Sequence, residues 1–399
     1  MAWPVVRVGD LAEQIRGVTF AKADATSSPG EGLIAVMTAT NITENGLERR
    51  SVLHISDAKV TAKQRLTKND VVITASSGSL SVVGRAVLVR DNIDATFGAF
   101  CKVLRPAGII DPNYFAHFFR TPRYRSTVAR LAAGANINNL RNEDLENLEI
   151  PFPPLPEQRR IASILDQADR VRAVRNQALE QLERNRVALF DLIFGPLSPV
   201  SGSTVSTLGA LAAKYSDGPF GSNLKSSHYS ETGVRVVRLQ NIGVGKFVDK
   251  DRAFVSEEHF LRIAKHECVP GDVLIGTLGD PNLRACLLPP NIDRAVNKAD
   301  CIQFRPNLDV VNAEYIVGFL NHPSTVAATS GLVLGQTRGR ISMGRLRGLP
   351  VPVPDIKLQT MYAERINHLD RVLETQKTQL AKLDELFASL QHRAFRGEL

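Results

Sequence analysis

Few stretches of this chain carry residue types that could do chemistry. Asp111-Pro-Asn-Tyr-Phe115 is close to the Asp/Asn-Pro-Pro-Tyr/Phe loop with which amino groups are methylated. It lacks the second proline, the matching stretch later in the chain is Val311-Asn-Ala-Glu-Tyr315, and no glycine-rich cofactor loop follows a strand upstream. It therefore reads as a helix N-terminus with Tyr114 and Phe115 in a core. Pro354-Asp355-Ile-Lys357 has the outline of a nuclease signature, but Asp at a helix start is the expected cap or first-turn acid. No partner carboxylate stands at a suitable spacing. The chain has no Gly-x-x-x-x-Gly-Lys-Ser/Thr phosphate loop, and its eight histidines form no His-x-x-x-His or His-Glu-x-x-His pair. Cys101, Cys268, Cys286 and Cys301 make no Cys-x-x-Cys pair and read as reduced thiols, without metal or disulfide framework. The expectation is a chain with no catalytic residue and no metal.

Two polar loops remain as candidate binding elements, Gly134-Ala-Asn-Ile-Asn-Asn-Leu-Arg141 and Gly335-Gln-Thr-Arg-Gly-Arg340. Asn136, Asn138, Asn139, Gln336, Thr337, Arg338 and Arg340 are of the types that contact base edges and phosphates. Thr40, Asn41, Ser77 and Ser79 join them in the first half of the chain, and Arg238, Gln240 and Asn241 in the second. Such side chains also fill any solvated loop, and taken alone the loops leave both readings open.

What positions these loops is a duplication. At an offset of 201, Leu145 falls on Leu346, Leu148 on Leu349, Pro151 on Pro352, Gln158 on Gln359, Asp169-Arg170-Val171 on Asp370-Arg371-Val372 and Phe194 on Phe395. Upstream, Tyr114 matches Tyr315, Asn41-Ile42 resembles Asn241-Ile242, and the run around Val71 resembles that around Val273. Solenoid units run roughly 20–50 residues, so a period this long is a repeated globular domain with its helix. Each domain carries short β-like runs, Val71-Val-Ile-Thr74, Ala86-Val-Leu-Val89 and Phe100-Cys-Lys-Val-Leu104 in the first, and Val234–Arg238, Val273–Ile275, Ala285–Leu288 and Cys301–Phe304 in the second. Helical stretches, Pro112–Leu131 and Asn312–Ala328, follow.

A long helix closes each copy. Ile366, Leu369, Leu373, Gln376, Leu380, Leu383, Phe387, Leu390 and Ala394 recur at alternating spacings of three and four, a two-in-seven stripe that suits another helix better than a domain surface. The first helix offers Leu165, Ala168, Arg172, Arg175, Leu179, Leu182, Arg186, Leu189 and Ile193 at the equivalent places. Its three arginines imply either a contact shifted toward Val171, Val174 and Ala178 or arginines presented to an acidic partner. The expected pairing residues are Leu165, Leu179, Leu182 and Leu189 against Leu369, Leu373, Leu380, Leu383, Phe387 and Leu390. Proline runs before each helix fix an extended chain and end any preceding strand, and glycines at Gly195 and Gly397 end the helices. About 38 residues make a rod of roughly 55–60 Å. Two such rods paired antiparallel would act as a ruler between the domains.

Length, 43% hydrophobic residues and 23% charged residues fit two to three globular domains. No apolar run is long enough to span a bilayer, and Met1-Ala-Trp-Pro-Val-Val-Arg is unlike a signal peptide, so a cytoplasmic protein without membrane contact is expected. The net charge is +8. The two helices are nearly neutral, with 14 basic against 13 acidic residues, which leaves 35 basic against 28 acidic residues in the globular parts. That modest excess suits a polyanion-binding face without requiring one.

The arrangement as a whole resembles the specificity subunit of a type I restriction-modification enzyme. The resemblance spans essentially the full chain. It rests on Val8-Gly-Asp-Leu-Ala12 and its echo Leu208-Gly-Ala-Leu-Ala212, on Leu145-x-x-Leu-x-Ile-Pro-x-Pro-Pro-Leu-Pro-Glu-Gln-Arg-Arg-Ile161, and on the final Phe395-Arg-Gly-Glu-Leu399. The second helix entry departs from the motif, with Val353-Pro354 for Pro-Pro and Leu358 before Gln359. The resemblance implies an α+β fold of two similar mixed α/β target-recognition domains, joined by two long helices paired as an antiparallel coiled coil with pseudo-twofold internal symmetry. The implied domains are 1–147 and 198–348 for recognition, 148–197 for the central helix and 349–399 for the C-terminal helix. It further implies that each domain reads one part of a split site in double-stranded DNA. Two methyltransferase subunits holding S-adenosylmethionine would dock on the helices, and restriction subunits can join. The chain itself would bind no cofactor and would not be an enzyme. A duplicated coiled-coil adaptor that binds protein rather than DNA is the alternative.

Overall fold

The computed structural model describes residues 3–43, 46–132, 138–195, 204–334 and 339–399. The chain divides into two compact units, residues Met1–Ala178 with Gln376–Leu399, and Leu179–Thr375. Both long helices, Leu155–Phe194 and Ile356–Ala394, contribute a part to each unit.

In the first unit a four-stranded antiparallel sheet runs in the order Ala12–Arg16, Cys101–Pro106, Val71–Thr74, Ala86–Leu88. Successive side chains of a strand face opposite ways, and Val71-Val-Ile-Thr74 uses both faces. Val71 and Ile73 enter the core with Tyr114, Phe115 and Phe119, while Val72 enters a second core with Met37, Phe97 and Val103. The second core lies under a smaller sheet in which Leu33–Met37 pairs parallel with Ala95–Phe97 and antiparallel with Leu53–Ser56. The expected helical stretch is two helices, Pro112–Phe118 and Pro122–Ala132. Pro122 opens the second, a place where its missing N–H costs nothing.

The second unit repeats this plan. Ala212–Asp217, Cys301–Pro306, Val273–Gly276 and Arg284–Leu287 form the equivalent sheet in the same order. Val234–Val237 pairs parallel with Ala295–Asn297, as Leu33–Met37 does with Ala95–Phe97. Here the smaller sheet has five strands instead of three.

The proline runs do not simply end strands. Glu149–Pro151 pairs with Val5–Arg7, and Pro350–Val353 pairs with Thr204–Thr207. Both are two-stranded ribbons, where a residue without an N–H leaves no central ladder bond unmade. The prolines are thus part of the strand that ties the start of each repeated domain to its end.

The shared sequence around each helix entry makes the same bonds twice. Gln158 Oε1 accepts from the Asp111 backbone N–H at 2.8 Å and its Nε2 donates to the Pro153 carbonyl at 2.8 Å. Gln359 repeats both bonds, to Asn312 at 2.8 Å and to Pro354 at 2.8 Å. The Tyr114 hydroxyl donates to the Pro151 carbonyl at 2.8 Å, and that of Tyr315 to the Pro352 carbonyl at 2.6 Å. Asp111 caps its helix by accepting from the N–H groups of Asn113 and Tyr114, with Tyr114 and Phe115 fully buried. Asp355 likewise accepts from Lys357 N–H at the start of the second long helix. In both places the aspartate serves the backbone.

The long helices pair antiparallel in each unit. In the first, Arg172 bonds Asp384 at 2.6 Å and Arg175 bonds Gln376; in the second, Arg186 bonds Asp370. The arginines therefore stay in the seam, and the acidic partner is the other helix. The alternative shift toward Val171, Val174 and Ala178 is not adopted. Val171 and Val174 are 46% and 66% exposed, because the guanidiniums satisfy the seam positions without rotating the helix. Leu165, Leu179, Leu373 and Phe387 are buried, and Leu182, Leu189, Leu369, Leu380, Leu383 and Leu390 are half-buried. The outer members of the stripe do more than pair helices. Phe387, Leu390 and Ala394 pack into the core of the first unit, and Ile366 and Leu369 into that of the second. Gly195 and Gly397 follow the helix ends with φ of 74° each, the left-handed geometry that glycine supplies without strain.

Candidate nucleic-acid interface

Parallel strands in a sheet send their following loops out at the same edge. In the first unit Leu33–Met37 leads to Thr38–Asn41, and Ala95–Phe97 leads to Gly98–Phe100. The two loops are tied by the Gly98 N–H, which donates to the Met37 carbonyl at 2.9 Å. The Phe100 carbonyl in turn accepts from the N–H groups of Ala75 and Ser76, at 2.8 and 3.1 Å. Ser76–Ser77 then pairs with Asn138–Asn139, Asn139 opposite Ser76 and Asn138 opposite Ser77. Backbone hydrogen bonds thus gather Thr40, Ser77 and Asn139, far apart in sequence, around Phe100, which is 67% exposed.

The second unit builds the same edge from different side chains. The Lys298 N–H donates to the Val237 carbonyl at 2.9 Å, the Thr277 N–H to the Asp300 carbonyl at 3.2 Å, and the Ile341 N–H to the Thr277 carbonyl at 3.0 Å. These bonds set Arg238–Asn241, Lys298–Asp300 and Arg340 side by side. Phe220, half exposed, and Tyr229 supply aromatic faces among them. The Arg340 guanidinium lies 5.7 Å from the Phe220 ring centre, and Arg238 and Lys298 lie 5.8 and 5.5 Å from that of Tyr229. Gly218 permits the close packing: a Cβ there would stand 2.2 Å from the Lys298 carbonyl carbon, and one on Gly17 would stand 2.1 Å from the Gly98 oxygen.

Both arginines in this surface face carboxylates. Arg340 Nε stands 2.7 Å from Asp300 Oδ1, and its Nη2 stands 3.7 Å from Asp217 Oδ2. Burial pushes the Asp217 carboxyl above the ordinary carboxylate range. Arg238 bonds Asp251, as does Gln240 at 2.8 Å. The Gln240 hydrogen bond and then Arg238 hold the exposed Asp251 carboxyl below its usual range.

Two expected readers are structural instead. Asn41 is 2% exposed; its Oδ1 accepts from the N–H and hydroxyl of Thr38 at 2.9 Å each, and its Nδ2 donates to the carbonyls of Glu48 and Arg50 at 3.0 Å each. Asn241, fully buried, accepts from Arg238 N–H and donates to Val248 and Lys250 carbonyls. An amide whose donors and acceptor are all engaged inside the protein has nothing left to offer a base. Thr40, Ser79, Asn139 and Gln240 are exposed; Ser77, Arg238 and Arg340 are half-buried at the same edge. Asn136, Gln336, Thr337 and Arg338, and the side chain of Asn138, lie outside the described residues. Phe100, Phe220, Tyr229 and Lys298 were not expected from the sequence, although the 200-residue offset that sets Phe20 on Phe220 was a usable signal.

Cavities of about 540 Å³ in the first unit and 960 Å³ in the second lie beside the long helices, and their walls share no residue with these loops. The four cysteines are buried free thiols; burial pushes those of Cys101, Cys268 and Cys286 up to about 12 and that of Cys301 higher still. Among the described residues no helix is long and apolar enough to cross a membrane.

Comparison with known proteins finds likenesses to specificity subunits of type I restriction enzymes. The family model described as the type I restriction modification DNA specificity domain matches residues 2–184. The EcoKI type I restriction enzyme specificity subunit of Escherichia coli K12 is 29% identical over 416 aligned residues, which cover 100% of this chain and 89% of that protein. The StySPI specificity subunit of Salmonella potsdam is 27% identical, covering 100% of this chain and 89% of its own length. Among solved structures, the S subunit of a type I restriction-modification system from M. genitalium superposes with a TM-score of 0.57 at 18% identity, over 99% of this chain and 96% of that one. A chain from a type I R-M system studied for complex assembly and conformational transition gives a TM-score of 0.59 at 18% identity, over 100% and 98%. These two likenesses concern the fold.

Proposed function

The chain belongs to the specificity subunits of type I restriction-modification systems, and on that footing we propose that its two loop edges read the two parts of a split site in double-stranded DNA. The observation that carries this reading is the repetition of one scaffold with two different surfaces. Gln158 and Gln359, Tyr114 and Tyr315 make the same bonds, while the loops at the equivalent edges hold Thr, Ser, Asn and Phe in one unit and Arg, Lys, Gln, Tyr and Phe in the other. A protein that bound the same partner twice would keep the surface with the scaffold. A reader of a non-palindromic sequence keeps only the scaffold.

The chain positions DNA and leaves the reaction to others. Methyltransferase subunits holding S-adenosylmethionine dock on the long helices and modify an adenine in each half-site, and restriction subunits can add to that assembly. The paired helices fix the distance between half-sites. The test is methylation mapping after reconstitution with the cognate methyltransferase subunits. It should return a motif of two short defined parts separated by an undefined gap of roughly one helical turn, with DNA binding that falls steeply as salt rises. A single continuous motif, or a complex that retains no duplex DNA at low salt, would sink the proposal.

A further inference from the structure

We propose that Arg340 reads a guanine, and that the half-site read by the second unit therefore contains a guanine whose recognition depends on this one side chain; the inference rests on the DNA-reading role proposed above. The guanidinium is held before it meets any ligand. Its Nε is buried 2.7 Å from Asp300 Oδ1, a close ion pair without hydrogen-bond alignment, and Nη2 approaches Asp217 at 3.7 Å, with the ring of Phe220 5.7 Å away. The side chains of Asp217 and Asp300 are 10% and 25% exposed and that of Arg340 is 39% exposed. The carboxylates thus sit behind and the arginine in front. Its strand is fixed to the body by the Ile341 N–H bond to Thr277 and a bridge between Leu278 and Arg340.

An oriented guanidinium can take a phosphate or a base edge, and local charge decides between them. One arginine against two carboxylates leaves a net charge of −1 at this spot, which disfavours a phosphate. The nearby cations Arg238 and Lys298 gather instead over Tyr229. A base edge is neutral, so it escapes that penalty. Of the four bases only guanine presents two acceptors, O6 and N7, to a fork of donors in the major groove; adenine and cytosine present an amino donor there, and thymine pairs its single acceptor with a methyl group. With Nε buried beside Asp300 and the side chain as a whole 39% exposed, the terminal edge remains as the bidentate donor. Among its described residues the first unit has no such device at this place: Asn139 stands where Arg340 does, as the backbone bonds Leu140 to Ala75 and Ile341 to Thr277 establish, and Phe100 stands where Asp300 does.

The experiment maps methylation by the reconstituted complex carrying the parent chain, Arg340→Lys or Arg340→Ala, across a salt series. The parent motif should contain a guanine that becomes degenerate in both variants, with discrimination at that one position falling tenfold or more and the other half-site unchanged. Lysine keeps the charge and can keep an ion pair with Asp300 but lacks the planar fork; it decides the matter if the alanine variant fails to assemble. The inference is overturned if the degenerate position is not a guanine, if Arg340→Lys retains the full motif while Arg340→Ala weakens all sites alike with a shallower salt slope, or if neither variant changes the motif. A parent complex that yields no split motif would instead refute the DNA-reading proposal itself and take this inference with it.

Discussion

A matched lengthening of the two long helices should widen the gap between half-sites and leave the half-sites alone. The seam fixes where the insertions belong. Arg172 meets Asp384, Arg175 meets Gln376 and Arg186 meets Asp370, so the level of Ala178 and Leu179 in the first helix lies opposite Thr375 and Gln376 in the second. One heptad inserted between Ala178 and Leu179, and one between Thr375 and Gln376, keeps the first two pairs in one unit and the third in the other. Seven residues add about 10 Å of helix, and seven preserves the face of a 3.5-residue repeat. DNA rises 3.4 Å per base pair along one strand, so the gap should grow by up to about three base pairs. The assay is the methylation map of cells carrying the lengthened chain with unaltered methyltransferase subunits. An assembled, active complex whose gap is unchanged would refute the idea that the helices measure the site. Insertion into one helix alone should separate Arg186 from Asp370 or Arg172 from Asp384 and lower both stability and assembly.

Other perturbations test the parts separately. Gln158→Ala leaves the Asp111 N–H and the Pro153 carbonyl without their partner in a fully buried place and should cost about 2–4 kcal/mol by urea denaturation; a loss under 1 kcal/mol would mean that water replaces the amide. Asp169, part-buried between Arg120 at 2.6 Å and Arg172 at 3.1 Å, keeps a carboxyl below its ordinary range because, although burial acts to raise it, the Arg120 hydrogen bond and the charges of Arg120, His117 and Arg172 together outweigh burial. A depressed folded value gives stability that is present above the unfolded value of about 4 and lost as pH falls through the folded one. Asp169→Asn should therefore destabilise at pH 7 and converge on the parent below about pH 4, and a difference independent of pH would contradict the ion-pair account. Phe100→Ala removes a ring that is 67% exposed, so stability should hold within about 0.5 kcal/mol by urea denaturation while retention of duplex DNA falls if the ring packs on a base edge such as a thymine methyl; unchanged retention would place the ring outside the interface.

The repeat, the helix lengths and the seam were legible because they depend on local periodicity and on one offset that composition cannot mimic. Strands such as Val71–Thr74 and Val273–Gly276 stood out because they are buried on both faces and read as continuous apolar runs. Ala12–Arg16 and Ala212–Asp217 were missed. They lie at one edge of their sheet, half exposed, and carry Glu13, Gln14, Lys214 and Ser216 among the apolar residues. The candidate site was legible by residue type and illegible by role. Asn41 and Asn241 match in sequence because each ties a loop together from inside, whereas the exposed positions at the same edges differ between units. Similarity between the copies therefore marked scaffold, and the readers had to be found by exposure and by backbone bonds that join segments distant in sequence.

That division also explains why the seam carries arginines where leucine would pack better. A stripe of leucines repeats every heptad and fits itself in several registers, or fits a second copy of the same helix, with little to choose between them. Arg172, Arg175 and Arg186 find Asp384, Gln376 and Asp370 together only in one antiparallel register. A one-heptad slip would take Asp384, Gln376 and Asp370 away from the three guanidiniums and leave Arg172 and Arg186 only their same-helix partners Asp169 and Glu183, at a cost that solvent screening holds to about 1 kcal/mol or less per lost pair. Phe387 reinforces the choice, since Arg172 lies 4.5 Å from its ring centre while the ring packs into the core of the first unit. The leucines supply the attraction between the helices, and the arginines select its register. On the reading proposed above, in which two recognition bodies meet bases a set distance apart, a slip of one heptad would be an error of about 10 Å, or about three base pairs. The polar pairs would then set the register of the seam while the leucines hold the helices together.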